Sequence, residues 1–193
     1  MPLASDKSLR FALRDGTRPA HERLDRLASL FELYDQDDYG AFLVWHARLV
    51  PTLEQQLTQR GLLPIFPEWP EHRRAEFLLE DIEALGLSRP FAEPYQVGTT
   101  APELIGVAYV LEGSRLGGAV LSRSVDPALR GTATRYLDHG EGLKLWPRFV
   151  SRLDTLDFSG AETKAAVAAA NAVFAAFERA LTHDEVLGAV AGL

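Results

Sequence analysis

The chain has 193 residues, a formal net charge of −7, 47% hydrophobic and 24% charged residues, and no cysteine. Its length fits one domain or at most two, and its acidic balance argues against generic nucleic-acid binding, which needs a basic field. The lack of cysteine excludes disulfides, thiolate nucleophiles, iron–sulfur clusters and thiolate zinc sites. The N-terminus lacks the apolar core of a signal peptide, and no run approaches the length of a membrane span. We therefore expect a cytoplasmic protein without membrane contact, by default.

Helical periodicity dominates the sequence, and almost nothing alternates like a strand. The pattern predicts a first helix from residue 5 or 6 to about 30, and a second from 37 or 38 to 60 that Pro51 kinks or splits. Further segments are predicted as a helix over 71–85, a loop over 87–99, a glycine-bearing helix over 102–122, a turn-rich stretch over 127–140, and helices over 143–156 and 160–181. Without repeats or linkers, the sequence predicts one all-α domain spanning residues 1–193, a multi-helical bundle.

The glycine-bearing helix is the most informative segment. Thr100 can cap its start, and Glu103 can bond back to that cap. Three glycines then interrupt its apolar run, although each interior glycine costs a helix about 1 kcal/mol relative to alanine. Two of them, Gly113 and Gly117, share a face, so that bare backbone there can approach something large and flat. Close packing against another helix explains the same glycines equally well.

The five histidines have no partner at metal-site spacing, and neither a Glu-x-x-His pair nor a His-Glu-x-x-His motif occurs. His72, His139 and His183 lie in polar or turn-like sequence and are predicted to be solvated. His46 lies on an apolar helix face, where a buried, hydrogen-bonded histidine is a better interpretation than a ligand. His21 lies at the edge of the inward stripe of the first helix, within reach of the core yet bordering water.

Two interpretations compete for His21. Arg14 and Arg18 precede it and Asp25 follows it on the same flank of the helix. A neutral imidazole can bind one axial position of a haem iron, while nearby arginines pair with the haem carboxylates at the pocket rim. Taken alone, the segment is explained more simply by a helix-edge histidine with solvated arginines beside it.

The two segments together change this balance. Thr17-Arg-Pro-Ala-His-Glu-Arg-Leu-Asp25, followed about ninety residues later by Tyr109-Val-Leu-Glu-Gly-Ser-Arg-Leu-Gly-Gly118, resembles the biliverdin-forming haem oxygenases, particularly the bacterial ones. The resemblance covers most of the chain, including Trp146-Pro-Arg-Phe149 and the alanine-rich last helix. It implies that His21 is the proximal ligand of the haem iron. It also implies that Gly113 and Gly117 line the opposite, distal haem face, with Gly118 adding flexibility.

The resemblance assigns polar residues as well. Arg14 and Arg18 match the family's partners for the haem carboxylates. We assign the same task, on geometry alone, to basic residues that share a face of a later helix: Lys144, Arg148 and Arg152. Ser114 stands where the animal enzymes place an aspartate after the first distal glycine, so the architecture of the distal water network is open there. The Ser114 hydroxyl could join that network.

The implied activity is cleavage of haem, at once cofactor and substrate, with O₂ to biliverdin, carbon monoxide and ferrous iron. Electrons would come from a separate reductase, ferredoxin or flavodoxin, because no flavin or nicotinamide motif is present. The family's bacterial roles are iron release and bilin supply to a photoreceptor. Alternatives are a haem carrier of the same fold without turnover, a relative acting on thiamine-like compounds, which the lack of cysteine disfavours, and a structural or regulatory helical protein.

Overall fold

The computed structural model describes residues 8–181, which fold into nine α-helices and no β-strand. The helices are α1 (Leu9–Ala28), α2 (Gln36–Ala47), α3 (Val50–Gln59), α4 (Trp69–His72), α5 (Ala75–Ala84), α6 (Ala101–Leu121), α7 (Arg135–Asp138), α8 (Leu145–Leu153) and α9 (Gly160–Leu181). Two short 3₁₀ helices follow α6, at Ser122–Ser124 and Pro127–Leu129. The predicted all-α fold is confirmed, while the predicted start of the first helix lies outside the described residues.

Two of the predicted helices are each divided into two. Pro51 is the second residue of α3, where its missing N–H is harmless, so the second predicted helix is split rather than kinked. The continuous helix predicted over 71–85 is wrong, because extended backbone separates α4 from α5. The cause lies in α3, where the Glu54 carboxylate accepts the backbone N–H groups of Arg74 and Ala75 at 2.9 and 3.0 Å and so caps α5.

The helix α9 packs along both α1 and α6. Small residues allow this close approach, since a Cβ added at Gly106 of α6 would collide with the backbone oxygen of Ala166. A Cβ added at Gly16 of α1 would lie 2.6 Å from Val167 Cγ1, and the Asn171 side chain donates to the Gly16 carbonyl at 3.1 Å. The alanine-rich sequence of α9 therefore serves to bring α1 and α6 to the same side of the molecule.

An aromatic cluster built on α2 fills the other end of the core. The Trp45 indole N–H donates to the Phe177 carbonyl of α9 at 2.9 Å. His46 lies beside this ring, with Nδ1 3.0 Å from the Tyr136 hydroxyl. Burial, assisted by the charge of Arg74, lowers the pKa of His46 to about 3. The predicted role of His46 as a hydrogen-bonded core histidine is confirmed.

The central helix of the core is α6. The Glu103 carboxylate accepts the Thr100 backbone N–H at 3.0 Å, which confirms the predicted capping interaction. Contrary to the sequence expectation, Ala101–Ser124 has the length and apolar composition of a membrane span. More than half of that segment is buried inside the fold, as in the core helix of a globular protein. The helix runs unbroken through its three later glycines.

Candidate functional site

One face of α6 changes character along its length. Gly106, Gly113, Gly117 and Val120 lie on this face, which we call the glycine face, because residues three, four or seven apart share one side of a helix. At Gly106 the face is closed by α9. At Gly113 the nearest described atom to an added Cβ is Trp146 Cζ3, at 3.8 Å, and at Gly117 no described atom lies within 4 Å. Packing within residues 8–181 therefore requires neither Gly113 nor Gly117, and no described residue covers this end of the face.

Gly118 lies on the opposite, buried side of α6. A Cβ added there would meet the Leu137 carbonyl oxygen at 3.5 Å, which is an ordinary contact. The structure thus separates Gly118 from the pair that shares the glycine face. Its predicted contribution to flexibility stays a prediction.

On α1, the imidazole of His21 reaches the surface, with its side chain 56% exposed. Its Nδ1 lies 2.8 Å from Asp25 Oδ2, one turn further along α1, and its ring edge rests against Phe174 of α9. We assign the proton to Nδ1, because the carboxylate accepts there, and this leaves the Nε2 lone pair available to a metal ion. Within residues 8–181, no group of three or more His, Asp or Glu side chains could hold a metal.

Tyr109 links α6 to α1. It lies one turn before Gly113 on α6, and its hydroxyl lies near Thr17, one turn before His21 on α1. Its ring lies 5.8 Å from the ring of Trp146 on α8. His21 and Gly113 are thus each one turn away from a direct contact between α1 and α6. Sequence reasoning missed this role, although the spacing of four residues between Tyr109 and Gly113 was a signal for it.

Arg14 and Arg18 form an exposed basic rim on α1. Nη2 of Arg14 and Nη2 of Arg18 approach the same carboxylate oxygen of Asp15, at 3.2 and 2.7 Å. Both side chains remain more than half exposed, and the charge of Arg14 reaches Tyr109. Two positive charges compensated by one carboxylate leave this rim with a net positive charge. Their binding to haem carboxylates stays a prediction.

The basic residues near α8 are placed differently. Lys144 precedes the helix and has left-handed backbone, with φ of 53°. The guanidinium of Arg148 lies 2.7 Å from Glu71 and that of Arg152 lies 3.9 Å from Glu68, so both are directed toward α4. The glycine face is instead met by Trp146. The assignment of these three basic residues to haem carboxylates also stays a prediction.

Two predictions about histidines are wrong. His72 is 1% exposed, and its Nδ1 lies 2.6 Å from Glu112 Oε2. His139 is half-buried, and its Nδ1 accepts a hydrogen bond from Arg115 Nη1 at 2.8 Å. Their polar sequence neighbours suggested solvent, whereas their partners are charged residues of α6 distant in sequence. His183 lies outside the described residues.

The hydroxyl of Ser114 is engaged on the side of α6 away from the glycine face. It accepts a hydrogen bond from Arg74 Nη2 and donates to the Leu111 carbonyl at 2.8 Å. Its one proton is therefore committed to the helix, and one lone pair remains for a further donor. The predicted place of Ser114 in a distal water network stays a prediction.

The fold and this arrangement define a class of protein: an all-α bundle with an oriented, exposed imidazole on one helix and two open glycines on another. A family model described as "Heme oxygenase" matches residues 7–183. The curated heme oxygenase of Xanthomonas campestris pv. campestris (strain 8004) is 33% identical over 153 residues, which is 78% of this chain and 92% of that protein. The chain therefore belongs to the haem oxygenase family, a family of haem-degrading oxidoreductases, and the resemblance is confirmed.

Two solved structures share the fold. The heme oxygenase of Neisseria meningitidis, determined with NO and CO bound, has a TM-score of 0.80 at 23% identity, covering 95% of this chain and 94% of that chain. The heme oxygenase of Leptospira interrogans has a TM-score of 0.73 at 22% identity, covering 91% of this chain and 98% of that chain. At these identities the likeness shows the architecture, and the bundle predicted from the sequence is confirmed.

Proposed function

We propose that the chain oxidises haem with O₂ and externally supplied electrons to biliverdin, carbon monoxide and ferrous iron. One observation carries the proposal: α1 presents an exposed imidazole oriented by Asp25, while α6, whose Tyr109 lies near α1, presents two glycines that packing within the described residues does not require. His21 would bind the haem iron through Nε2, and Gly113 and Gly117 would meet the distal face. Bound haem supplies the redox chemistry, as an iron that binds O₂ and a porphyrin that is oxidised.

The residues present on α1 and on α6 fit haem. The hydrogen bond from His21 Nδ1–H to Asp25 fixes the orientation of the ring and makes Nε2 a stronger ligand. A neutral imidazole donates less electron density to iron than a thiolate does. A Cβ at Gly117 would project into the space that a flat ligand needs, and Gly113 leaves comparable room beside Trp146.

Other side chains would seat the ligand and exclude water. Arg14 and Arg18 would form charge-assisted hydrogen bonds to the haem carboxylates at the positively charged rim. Leu116 and Val120, which are exposed beside the glycines, offer apolar surface to a porphyrin. Covering such surface contributes about 25 cal/mol to the free energy of binding for each square ångström of apolar surface removed from water. The hydroxyl of Tyr109 stays protonated at neutral pH, because burial raises its pKa.

The electron source and the biological role follow from family membership only as proposals. Electrons would come from a separate ferredoxin, flavodoxin or reductase. The biliverdin would be a by-product of iron release or the bilin for a photoreceptor, and the residues of the site are compatible with both. A cytoplasmic location likewise stays a prediction.

Haem ligation is tested by titrating haemin into the purified protein. We expect a Soret band typical of histidine ligation, which His21→Ala abolishes or shifts and which added imidazole restores. Glu22→Ala, a change at the neighbouring exposed residue of α1, is the matched control and should leave the band unchanged. An unaltered spectrum in His21→Ala would contradict the assignment of the ligand.

Turnover is tested by supplying electrons to the haem complex under O₂. The Soret band should bleach while biliverdin absorption and carbon monoxide appear in equal amounts. A complex that keeps its band through repeated reduction under O₂ would instead support a haem carrier. The same measurement on Gly117→Leu should show whether the open end of the glycine face serves the ligand.

A further inference from the structure

A group of buried charged side chains lies behind the glycine face, on the opposite side of α6. Two carboxylates and two guanidiniums belong to it, each at most 8% exposed. Their charges cancel when the two histidines of the group are neutral. The group, which we call the charge cluster, comprises Glu54, His72, Arg74, Glu112, Arg115 and His139.

Glu112 lies next to Gly113 and is fully buried. Its Oε2 accepts hydrogen bonds from His72 Nδ1 at 2.6 Å and from Arg115 Nε at 2.9 Å. These two donors and the positive charge of Arg115 outweigh burial and hold the pKa of Glu112 below its usual range. Glu112 is thus an ionised carboxylate that ties α6 to α4.

Arg115 extends the connection from the same turn of α6. Besides Glu112, it donates to the backbone carbonyl of His72 and to His139 Nδ1. The guanidinium therefore joins three segments of the chain: α6, the end of α4, and the loop after α7. A planar group with five fixed N–H donors is well suited to hold three partners in one geometry.

Arg74 holds the same turn from α5. Its Nη2 donates to the Leu111 carbonyl at 3.1 Å and to the Ser114 hydroxyl. Its guanidinium lies 4.4 Å from the centre of the Tyr136 ring, and its backbone N–H is bound by Glu54. The turn 111–115 is therefore held at four of its five residues, and the fifth is Gly113.

Stability alone is a poor explanation for such a cluster. Burying ions costs desolvation energy, and apolar replacements of the same shape often stabilise a fold as well or better. A hydrogen-bonded cluster, here paired at all but Glu112 Oε1 and His72 Nε2 among the described residues, does enforce one relative placement of the elements it joins. Gly113 and Gly117 weaken the helix and carry no side chains that could anchor it, so their backbone position depends on their neighbours.

We propose that the charge cluster positions the distal backbone: Glu112 and Arg115, supported by His72 and Arg74, hold the backbone of Gly113 and Gly117 at a fixed place relative to the haem. These four are positioning residues, since they touch the glycine-bearing turn from behind. The proposal deepens the proposed function and rests on it for the identity of the ligand. Its structural content, the immobilisation of residues 113–118, concerns the protein without haem.

The first test is amide hydrogen exchange in the haem-free protein. Glu112→Gln keeps the shape and leaves Arg115 without its counter-charge, so amides of residues 113–118 should exchange at least about tenfold faster than in the wild type. Ile82→Ala, in the core of α5, is the stability control, and it should not increase exchange preferentially at residues 113–118. Unchanged exchange at 113–118 in folded Glu112→Gln, or the same local increase in the control, would overturn the proposal.

A second pair of variants decides the question if Glu112→Gln fails to fold. His72→Asn keeps a donor near the position of Nδ1, whereas His72→Leu removes it, and neither change adds a buried charge. We expect His72→Leu to increase exchange at 113–118 and His72→Asn to restore protection. Equal exchange in the two variants would overturn the role assigned to the His72–Glu112 bond.

The haem complex gives an independent measurement. In His72→Leu the Soret band and haem affinity should stay within about threefold of the wild type, because His21 is untouched, while turnover falls at least about tenfold. His72→Asn should recover turnover. Parallel losses of affinity and turnover in both variants would indicate a structural role only. If the wild type itself does not bind haem, the proposed function fails, while the exchange measurements still decide on the cluster.

Discussion

The two ends of the glycine face use the same residue for opposite reasons. Gly106 is closed over by α9, where the Ala166 carbonyl leaves no room for a side chain. Gly117 lies eleven residues further along the same face, and no described atom outside its own part of α6 comes within 4 Å of a Cβ placed there. The first glycine lets two helices touch. The second leaves room that no described part of the chain occupies.

This difference shows how a costly residue can be interpreted. At Gly106 the lost helix propensity is offset within the protein by close packing of α6 on α9. At Gly117 no described packing contact offsets the same loss, so the benefit must come from a ligand or from motion. A glycine without a packing reason in the free protein is therefore the better indicator of a binding site.

Gly106→Ala tests the closed end and should have the largest effect. The added methyl group meets a backbone carbonyl that cannot rotate away, so we expect α6 and α9 to separate at a cost of about 3 kcal/mol in the free energy of unfolding. Urea denaturation measures the loss. Because the obstacle is the carbonyl, Ala166→Gly should not rescue the variant. A loss below about 1 kcal/mol would contradict the packing role.

Gly117→Leu tests the open end, where the ligand should suffer and the fold should not. We expect haem affinity to fall at least about tenfold, or about 1.4 kcal/mol, because the side chain occupies the distal space. Stability without haem should hold or rise, and Gly117→Ala should raise it by about 1 kcal/mol through helix propensity. Gly160→Leu, at another helical glycine with no described atom nearby, is the matched control. Unchanged haem affinity in Gly117→Leu would remove Gly117 from the site.

The sequence could predict features of this comparison that depend on neighbouring residues, but not those that depend on contacts between distant segments. Most helix positions and the cap of α6 are local patterns and are confirmed, whereas the role of the glycine pair stays a prediction. The contrast between Gly106 and Gly117 depends on where α9 passes, which no local pattern records. Only Gly117 attracted attention, because it stands in a group of three glycines.

The errors have the same origin. The break between α4 and α5 comes from Glu54, and the burial of His72 comes from Glu112, forty residues later in the sequence. Local polarity suggested solvent for His72, since a buried hydrogen-bonded pair is visible only once its partner is placed. A charged pair in an apolar helix, here Glu112 and Arg115, was the available signal for partners elsewhere in the chain.

Acidification tests the charge cluster, through its member His139. Burial, followed by the charge of Arg115, lowers the pKa of His139 to about 4, with a smaller opposing effect of Glu112. The unfolded chain takes up the proton near pH 6.5, so the stability from neutral His139 is complete above pH 6.5 and is lost as the pH falls toward 4. Since His139 is partly exposed, we expect its contribution to the free energy of unfolding to fall by roughly 1 kcal/mol between pH 7 and 5.

His139→Asn keeps an acceptor for Arg115 without titrating, so this variant should lose less stability on acidification than the wild type. Hydrogen exchange sharpens the comparison between the two ends of α6. In the wild type at pH 5, amides near Arg115 should open before those near Gly106. Identical profiles of stability against pH for the variant and the wild type would show that protonation of His139 does not destabilise this end of α6.

The smallest effect is expected at Lys144, which precedes α8 and its Trp146 wall beside Gly113. Its left-handed backbone is unfavourable for lysine and better tolerated by asparagine, so Lys144→Asn should stabilise the protein by roughly 0.5 kcal/mol. Lys144→Ala removes the same charge and keeps the unfavourable conformation, so it should bring no gain. Comparing the stabilities of the two variants separates the effect of the backbone conformation from the effect of the charge.

Haem binding by the same two variants tests the assignment of Lys144 to a haem carboxylate. If Lys144 binds a haem carboxylate, both variants weaken haem binding equally and reduce its salt dependence. Unchanged haem affinity in both variants would leave the positive rim on α1 to hold the carboxylates.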